Sequence, residues 1–411
     1  MQVQGKSLVT VVCGAQVLVQ IGAFFWPALL PGLMPLWQLS NGEAGWITAS
    51  FYGAYMLSVP VLVTLTDRID PKRVYLFGVA ATVVGHSMFA LLADGFWSAL
   101  ATRALTGMGW AGTYMTGLKL LADRVDARMM SRATAGHAAS IGVSGAISFA
   151  CGDLIAAAAG WRMAFLVASI SAAVAWATVA LIVPPQGMRT SPAKEGQGLY
   201  DFRPVLRNRS AMAYAIGYCV HTLEMSALRG WGVAFLAYVA ASTNTSTAAV
   251  LSPAFVATGL GLIGTAASVA GNEVAIRFGR RRLIVAAMLA SIALSGTIGF
   301  LGSGSYTLAA VLMTVYGIVI WLDSSSLTAG TAGTAEPSRR GATLAVHSML
   351  GYAGGFVGPL LIGWTLDLSG GMSRNGWGVS FLLVAVLMAL ALVAFWLLRP
   401  REIEGDRVKA A

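Results

Sequence analysis

Apolar residues in this chain come in long blocks, separated by short polar connections. The blocks lie near 8–30, 45–66, 74–93, 97–122, 135–158 and 163–184, and after a polar stretch near 211–240, 250–275, 283–301, 306–330, 342–366 and 378–398. Each is long enough to cross about 30 Å of hydrocarbon as a helix. A helix is also the one open structure that satisfies its own backbone there. The pattern predicts an all-α integral membrane protein of twelve transmembrane helices, arranged as six, a break and six. The N-terminal half is expected at 1–184, a cytoplasmic linker at 185–210 and the C-terminal half at 211–411.

Composition removes the soluble alternatives. Of 411 residues, 57% are hydrophobic and 11% charged, against about 25% charged in a soluble domain. The mean hydropathy is +0.72. The net charge of +10 would suggest nucleic acid in a soluble protein, but here its placement decides. Arg68, Lys72 and Arg73, then Arg124, Arg128 and Arg132, then Arg277, Arg280, Arg281 and Arg282, then Arg339 and Arg340 all fall in alternate connections. The opposite connections hold Arg162 and Arg374. The positive-inside rule puts the basic set and both termini in the cytoplasm of an inner (plasma) membrane. Lys6 precedes a run that leads to Pro27, Pro31 and Pro35 instead of a small-residue cleavage site, which reads as an uncleaved first helix. In the linker, Pro184, Pro185, Pro192 and several glycines predict a flexible start. Leu199–Arg209 mixes Phe202, Val205 and Leu206 with Arg203, Arg207 and Arg209, and reads either as an amphipathic segment on the inner leaflet or as a basic solvated linker.

Two features repeat at one offset. Arg68 and Arg277 are 209 residues apart, and so are Gly142 and Gly351, each the first of two glycines spaced by three. A duplicated six-helix unit explains both, and gives two pseudo-symmetric halves.

With this repeat the chain resembles the major facilitator superfamily. Asp67, Arg68, Lys72 and Arg73 match the family's Gly-x-x-x-Asp-Arg-x-Gly-basic-basic loop, with Val63 and Asp70 where glycines are usual. The second copy keeps Gly279 and the basic run, with Ile276 at the acidic position. Arg103, Gly107 and Gly109 match Arg-x-x-x-Gly-x-Gly in the fourth span, and Gly160, Trp161, Arg162 and Phe165 match the start of the sixth helix. The resemblance implies two rocking halves and a site near the bilayer midplane. It also implies a gating role for Asp67, with Arg68 and Arg277 in the matching loops, as against plain loop solvation. Drug–proton antiporters of the family carry a Gly-Pro-rich fifth helix. Here Gly142 and Gly145 lack a proline, and Gly354, Gly355, Gly358 and Pro359 lie in the eleventh. Within the superfamily the resemblance runs toward the nitrate, nitrite or cyanate branch.

Charges inside a membrane are costly and mark functional candidates. His221, Glu224 and Arg229 fall in a sector of about 140° on the seventh helix at 100° per residue. Either Glu224, helped by His221, binds a coupling proton while Arg229 attracts substrate, or the three form a structural ion pair. Arg103, followed by Trp110 and Tyr114, reads as an oxyanion or carboxylate grip, whereas the resemblance implies a proton-relay or structural role. Gln16 and Gln20, one turn apart, either hydrogen-bond substrate or pack between helices. Asp323 either pairs with Lys119 or Arg103 or carries a proton. Tyr52, Tyr55 and Tyr316 are expected as packing residues, and His86 and His347 as packing residues with their hydrogen bonds satisfied.

These residues predict a secondary active transporter of a small solute, an organic or inorganic anion, by proton-coupled alternating access. The alternative is a proton-coupled exporter of amphipathic drugs or metabolites. No phosphate-binding Walker segment occurs, and the four histidines form no metal-ligand motif, so neither an ATP-driven pump nor an enzyme is expected, nor any cofactor. Cys13, Cys151 and Cys219 fit neither a zinc nor a redox spacing. Expected partners are the solute, protons and the lipid bilayer, with no nucleic acid, and the chain is expected to act as a monomer.

Overall fold

In the computed structural model, which describes residues 5–185, 202–403 and 406, every regular element is helical. The chain divides into two compact units, residues 1–39 with 46–193 and residues 40–45 with 194–411. Most of the expected linker, 186–201, lies outside the described residues.

The first unit contains α1 (Lys6–Gln20), α2 (Phe25–Leu36), α3 (Asn41–Leu65) from residue 46 onward, α4 (Pro71–Leu92), α5 (Phe96–Ala111), α6 (Tyr114–Ala122), α7 (Ala127–Ala159) and α8 (Trp161–Ile182). The second contains α9 (Arg203–Arg207), α10 (Arg209–Thr243), α11 (Thr247–Val250), α12 (Pro253–Phe278), α13 (Arg280–Leu301), α14 (Tyr306–Leu322), α15 (Ser324–Thr334), α16 (Arg340–Leu368) and α17 (Arg374–Leu398). The duplication is visible in the boundaries: α4 and α13 begin 209 residues apart, at 71 and 280. In each unit the same helices pair, α4 on α8 and α13 on α17, then α1 on α7 and α10 on α16.

Local chemistry sets the ends. Asp70 caps α4 by accepting the Lys72 amide at 2.9 Å, with Pro71 in the first turn. Ser373 caps α17 through the Gly376 amide at 3.0 Å. Such caps satisfy amides that the helix itself leaves open. Gly160 (φ 88°) and Gly279 (φ 102°) are single-residue junctions between consecutive helices. Positive φ is open to glycine at little steric cost, so both positions tolerate the turn.

Ten helical segments are long and apolar enough to cross a membrane by length and composition. The segments 97–122 and 211–240, expected as spans four and seven, are not among them. The fourth carries Arg103 and Lys119 among many glycines and threonines, and α10 carries His221, Glu224 and Arg229 along its 35 residues, so neither is apolar enough. The fourth is also cut at Gly112 and Thr113 into α5 and α6. Span ten is cut likewise, at Asp323 between α14 and α15, and span one at 21–24 between α1 and α2. Large apolar side chains such as Leu181, Leu91 and Trp396 stand outward. The protein is a multi-pass membrane protein.

In the second unit α16 approaches α10 closely. Gly354 faces the Cys219 carbonyl, Gly358 the Leu223 carbonyl and Gly351 the Tyr218 ring. A Cβ at any of them would collide. Small residues let helix backbones meet where lipid supplies no hydrophobic drive, and Thr222 Oγ1 donates to the Gly351 carbonyl at 2.6 Å across this seam. The glycine run of the eleventh span is therefore a packing surface.

Candidate functional site

Two groups of buried polar residues stand out, one in each unit. In the second unit Glu224 sits midway along α10 and is 1% exposed. Its Oε1 accepts hydrogen bonds from Tyr316 Oη at 2.6 Å and from Ser291 Oγ. Both donors are neutral, and no ion pair reaches Glu224 among the described residues. Beside it is a cavity of about 10 Å³, room for about one water, lined by Trp231, Tyr316, Trp377 and Phe381 among others.

One turn before Glu224, His221 Nδ1 lies 3.1 Å from Asp323 Oδ1. This is ion-pair distance, but the groups are not aligned as a hydrogen bond, and His221 Nε2 has no partner among the described residues. The Tyr218 ring lies between His221 and His347, with centroids 5.6 and 4.0 Å away. Nδ1 and Nε2 of His347 meet Thr331 Oγ1 at 3.0 Å and Thr328 Oγ1 at 3.2 Å. Titratable groups thus follow one another from Glu224 through His221, Asp323 and Tyr218 to His347. The break between α14 and α15 makes this possible, because it puts Asp323 at the junction of the two helices.

In the first unit Arg103 is 2% exposed. Its Nη1 donates to the Ala23 carbonyl at 3.2 Å, inside the break between α1 and α2, where carbonyls lack helical partners. Its guanidinium lies 4.6 Å from the Phe51 ring centre, and Phe51 in turn contacts Trp110 at 4.9 Å. Arg103 Nε, Trp110 Nε1, Gln16 Nε2 and Gln20 Nε2 are buried donors without an acceptor among the described residues. The amide oxygens of the two glutamines are used, Gln16 by Tyr75 Oη at 3.1 Å and Gln20 by Ser144 Oγ at 3.4 Å.

Several expectations need correction. Arg229 does not join Glu224: it lies five positions further on, about 7.5 Å along the axis, and its guanidinium lies 4.7 Å from the Trp321 ring. Asp323 faces His221, whereas Lys119 binds Asp123 at 2.9 Å, its i+4 neighbour. Tyr114 leaves the face of Arg103 because the helix breaks before it, and it stacks on His137 with centroids 6.1 Å apart. Tyr316, expected as a packing residue, hydrogen-bonds to Glu224, whereas the His347 bonds to Thr331 and Thr328 fit a satisfied packing histidine.

The loop residues divide likewise. Asp67 and Arg68 have exposed side chains. The acid that organises this loop is Asp70, joined to Arg124 Nη2 at 2.8 Å with both side chains under one-tenth exposed. Arg277 is an exposed partner of Glu273 at 3.0 Å. The built-in arginine of the second copy is Arg280, 3% exposed, bound to Asp406 at 3.0 Å and to Asn272 Oδ1 at 3.0 Å. Ser291, Tyr218 and Asp70 join these groups without any functional expectation from the sequence. Tyr218 precedes His221 by one turn, a signal present in the sequence; Ser291 gives none.

A duplicated six-helix membrane unit with broken helices and buried ionisable groups defines a transporter-type fold. A model of the Major Facilitator Superfamily matches residues 12–270 and 226–411, and the chain belongs to that family. Protein spinster homolog 1 of Bos taurus is 27% identical over 240 residues, covering 56% of this chain. The chain spans 45% of that relative's length. The structure of a bacterial homolog to human lysosomal transporter Spinster, inward-facing and occupied, superposes with a TM-score of 0.79 at 16% identity, covering 98% of both chains. The nucleoside transporter NupG superposes with a TM-score of 0.76 at 14% identity, covering 96% of this chain and 99% of that one. These similarities are of spinster and nucleoside-transporter type. They give no support to the nitrate, nitrite or cyanate branch expected from the sequence.

Proposed function

We propose that this chain is a secondary transporter that moves a small, oxygen-rich solute across an inner membrane by proton-coupled alternating access, with both termini cytoplasmic. The observation that carries this reading is Glu224, a carboxylate buried at mid-span and held by neutral hydroxyls. An anion inside the membrane is costly, and a proton removes the charge. Asp323 and His221, the next ionisable groups, offer the proton a place to go.

Arg103, Trp110, Gln16 and Gln20 supply N–H donors, which call for a solute rich in acceptors. An organic or inorganic anion meets that need through charge-assisted bonds to Arg103. A nucleoside, suggested by the NupG similarity, meets it with hydroxyl and carbonyl oxygens. Aromatic lining beside Glu224 favours a second reading, export of an amphipathic compound whose cationic group pairs with that carboxylate.

The test is proton movement driven by substrate in liposomes, with candidates chosen by thermal stabilisation of the purified protein. A ligand at 100 times its dissociation constant adds about 2.7 kcal/mol. Glu224→Gln should bind substrate and lose the coupled proton flux. Unchanged coupling would remove Glu224 from the mechanism, and stabilisation by lipophilic cations alone would favour the export reading.

A further inference from the structure

On one face of the second unit, the start of α10, the α15–α16 connection and the end of α17 enclose an open cavity of about 1310 Å³. Five arginines line it: Arg207, Arg209, Arg340, Arg399 and Arg401. All five are exposed, and none forms an ion pair among the described residues. Two glutamates share the lining, and one of them, Glu402, already accepts the Arg280 and Arg281 amides at 3.2 Å each. The excess of positive charge therefore has no carboxylate partner within the cavity among the described residues.

The walls are tied in place. Asn208 Nδ2 donates to the Thr334 carbonyl at 2.9 Å, Tyr214 Oη to the Arg401 carbonyl at 2.8 Å, and the Arg401 amide to Ser210 Oγ at 3.1 Å. Arg399 ends α17 in the left-handed region (φ 49°), where the chain turns toward Arg401. Trp396 and Leu397, the last apolar turn of α17, also line the cavity and are 66% and 55% exposed. An exposed tryptophan at the end of a span marks the headgroup level. The cavity thus has guanidinium groups at its polar side and bare apolar surface beside them.

We propose that this cavity binds the headgroup of an anionic phospholipid of the surrounding leaflet. The phosphate would take paired N–H donors from the arginines, and an acyl chain would lie along Trp396 and Leu397. A free phosphate shares the first contact and lacks the second. The site lies among the basic connections that the positive-inside rule assigns to the cytoplasmic leaflet. Basic pockets between spans on that side suit such headgroups.

The experiment is native mass spectrometry of the full chain released from detergent containing equal dioleoylphosphatidylglycerol and dioleoylphosphatidylcholine. Phosphatidylglycerol adducts should dominate, and each of Arg340→Gln and Arg401→Gln should weaken them about fivefold. Arg282→Gln, an exposed basic residue outside the cavity, should leave them unchanged. Equal adducts of both lipids, equal loss in Arg282→Gln, or displacement by millimolar inorganic phosphate would each overturn the proposal. A second measurement needs no arginine variant: brominated phosphatidylglycerol should quench more fluorescence in the unaltered chain than in Trp396→Phe, and brominated phosphatidylcholine should not. Equal quenching of both proteins would overturn it as well.

Discussion

Tyr316 donates its hydroxyl to the Glu224 carboxylate at 2.6 Å, joining α14 to α10 at mid-span in the second unit. The pair couples a helix that breaks seven residues later, at Asp323, to a helix that carries a buried acid. Tyr316→Phe keeps the ring and removes the donor. It should cost about 1.5–3 kcal/mol, the range for a hydrogen bond to a charged group, read from denaturant or thermal unfolding in detergent. It should also lower proton flux in liposomes while substrate still stabilises the protein.

Arg103 is predicted to resist conservative replacement. Lysine retains the charge but loses both the planar contact with Phe51 and the second set of donors. Arg103→Lys should therefore weaken substrate stabilisation about as much as Arg103→Gln does. Recovery of full stabilisation by the lysine would remove the guanidinium's geometry from substrate recognition.

Asp70 and Asp67 should separate cleanly despite being three residues apart. Breaking the buried Asp70–Arg124 pair leaves an arginine without its counter-charge, which costs about 3–5 kcal/mol. Asp70→Asn should lower the melting temperature strongly. Asp67→Asn, at an exposed position, should leave the melting temperature within the ±0.5 kcal/mol equivalent typical of surface changes. Any effect of that variant should show in transport rates alone.

Gly354→Ala tests the α10–α16 seam. The added methyl meets the Cys219 carbonyl, so one of the two backbones must move. Overpacking of this kind costs about 1–3 kcal/mol or more, and the yield of monodisperse protein should fall. Gly341→Ala, on the same helix with open space around it, is the control and should express normally.

The sequence by itself determined the membrane class, the count of spans and the twofold repeat. Each of these follows from one-dimensional facts: the length of apolar blocks against bilayer thickness, the alternation of basic connections and a constant offset of 209 residues. Glu224, His221 and Asp323 could be singled out too, because an ionisable residue in an apolar block is costly wherever the helix points. Which of them meet was a different matter. Helical angle placed Arg229 with Glu224, yet angle ignores the rise along the axis and the neighbouring helices, and Arg229 went to Trp321 instead. The breaks at Gly112–Thr113 and at Asp323 turn helices part-way across, so periodicity carried through them misplaces Tyr114 and gives no hint of the His221–Asp323 contact. Ser291 and Tyr316 look like ordinary residues of apolar spans until α13 and α14 pack beside α10. Partners of a buried charge come from other helices, and only tertiary structure decides which ones they are.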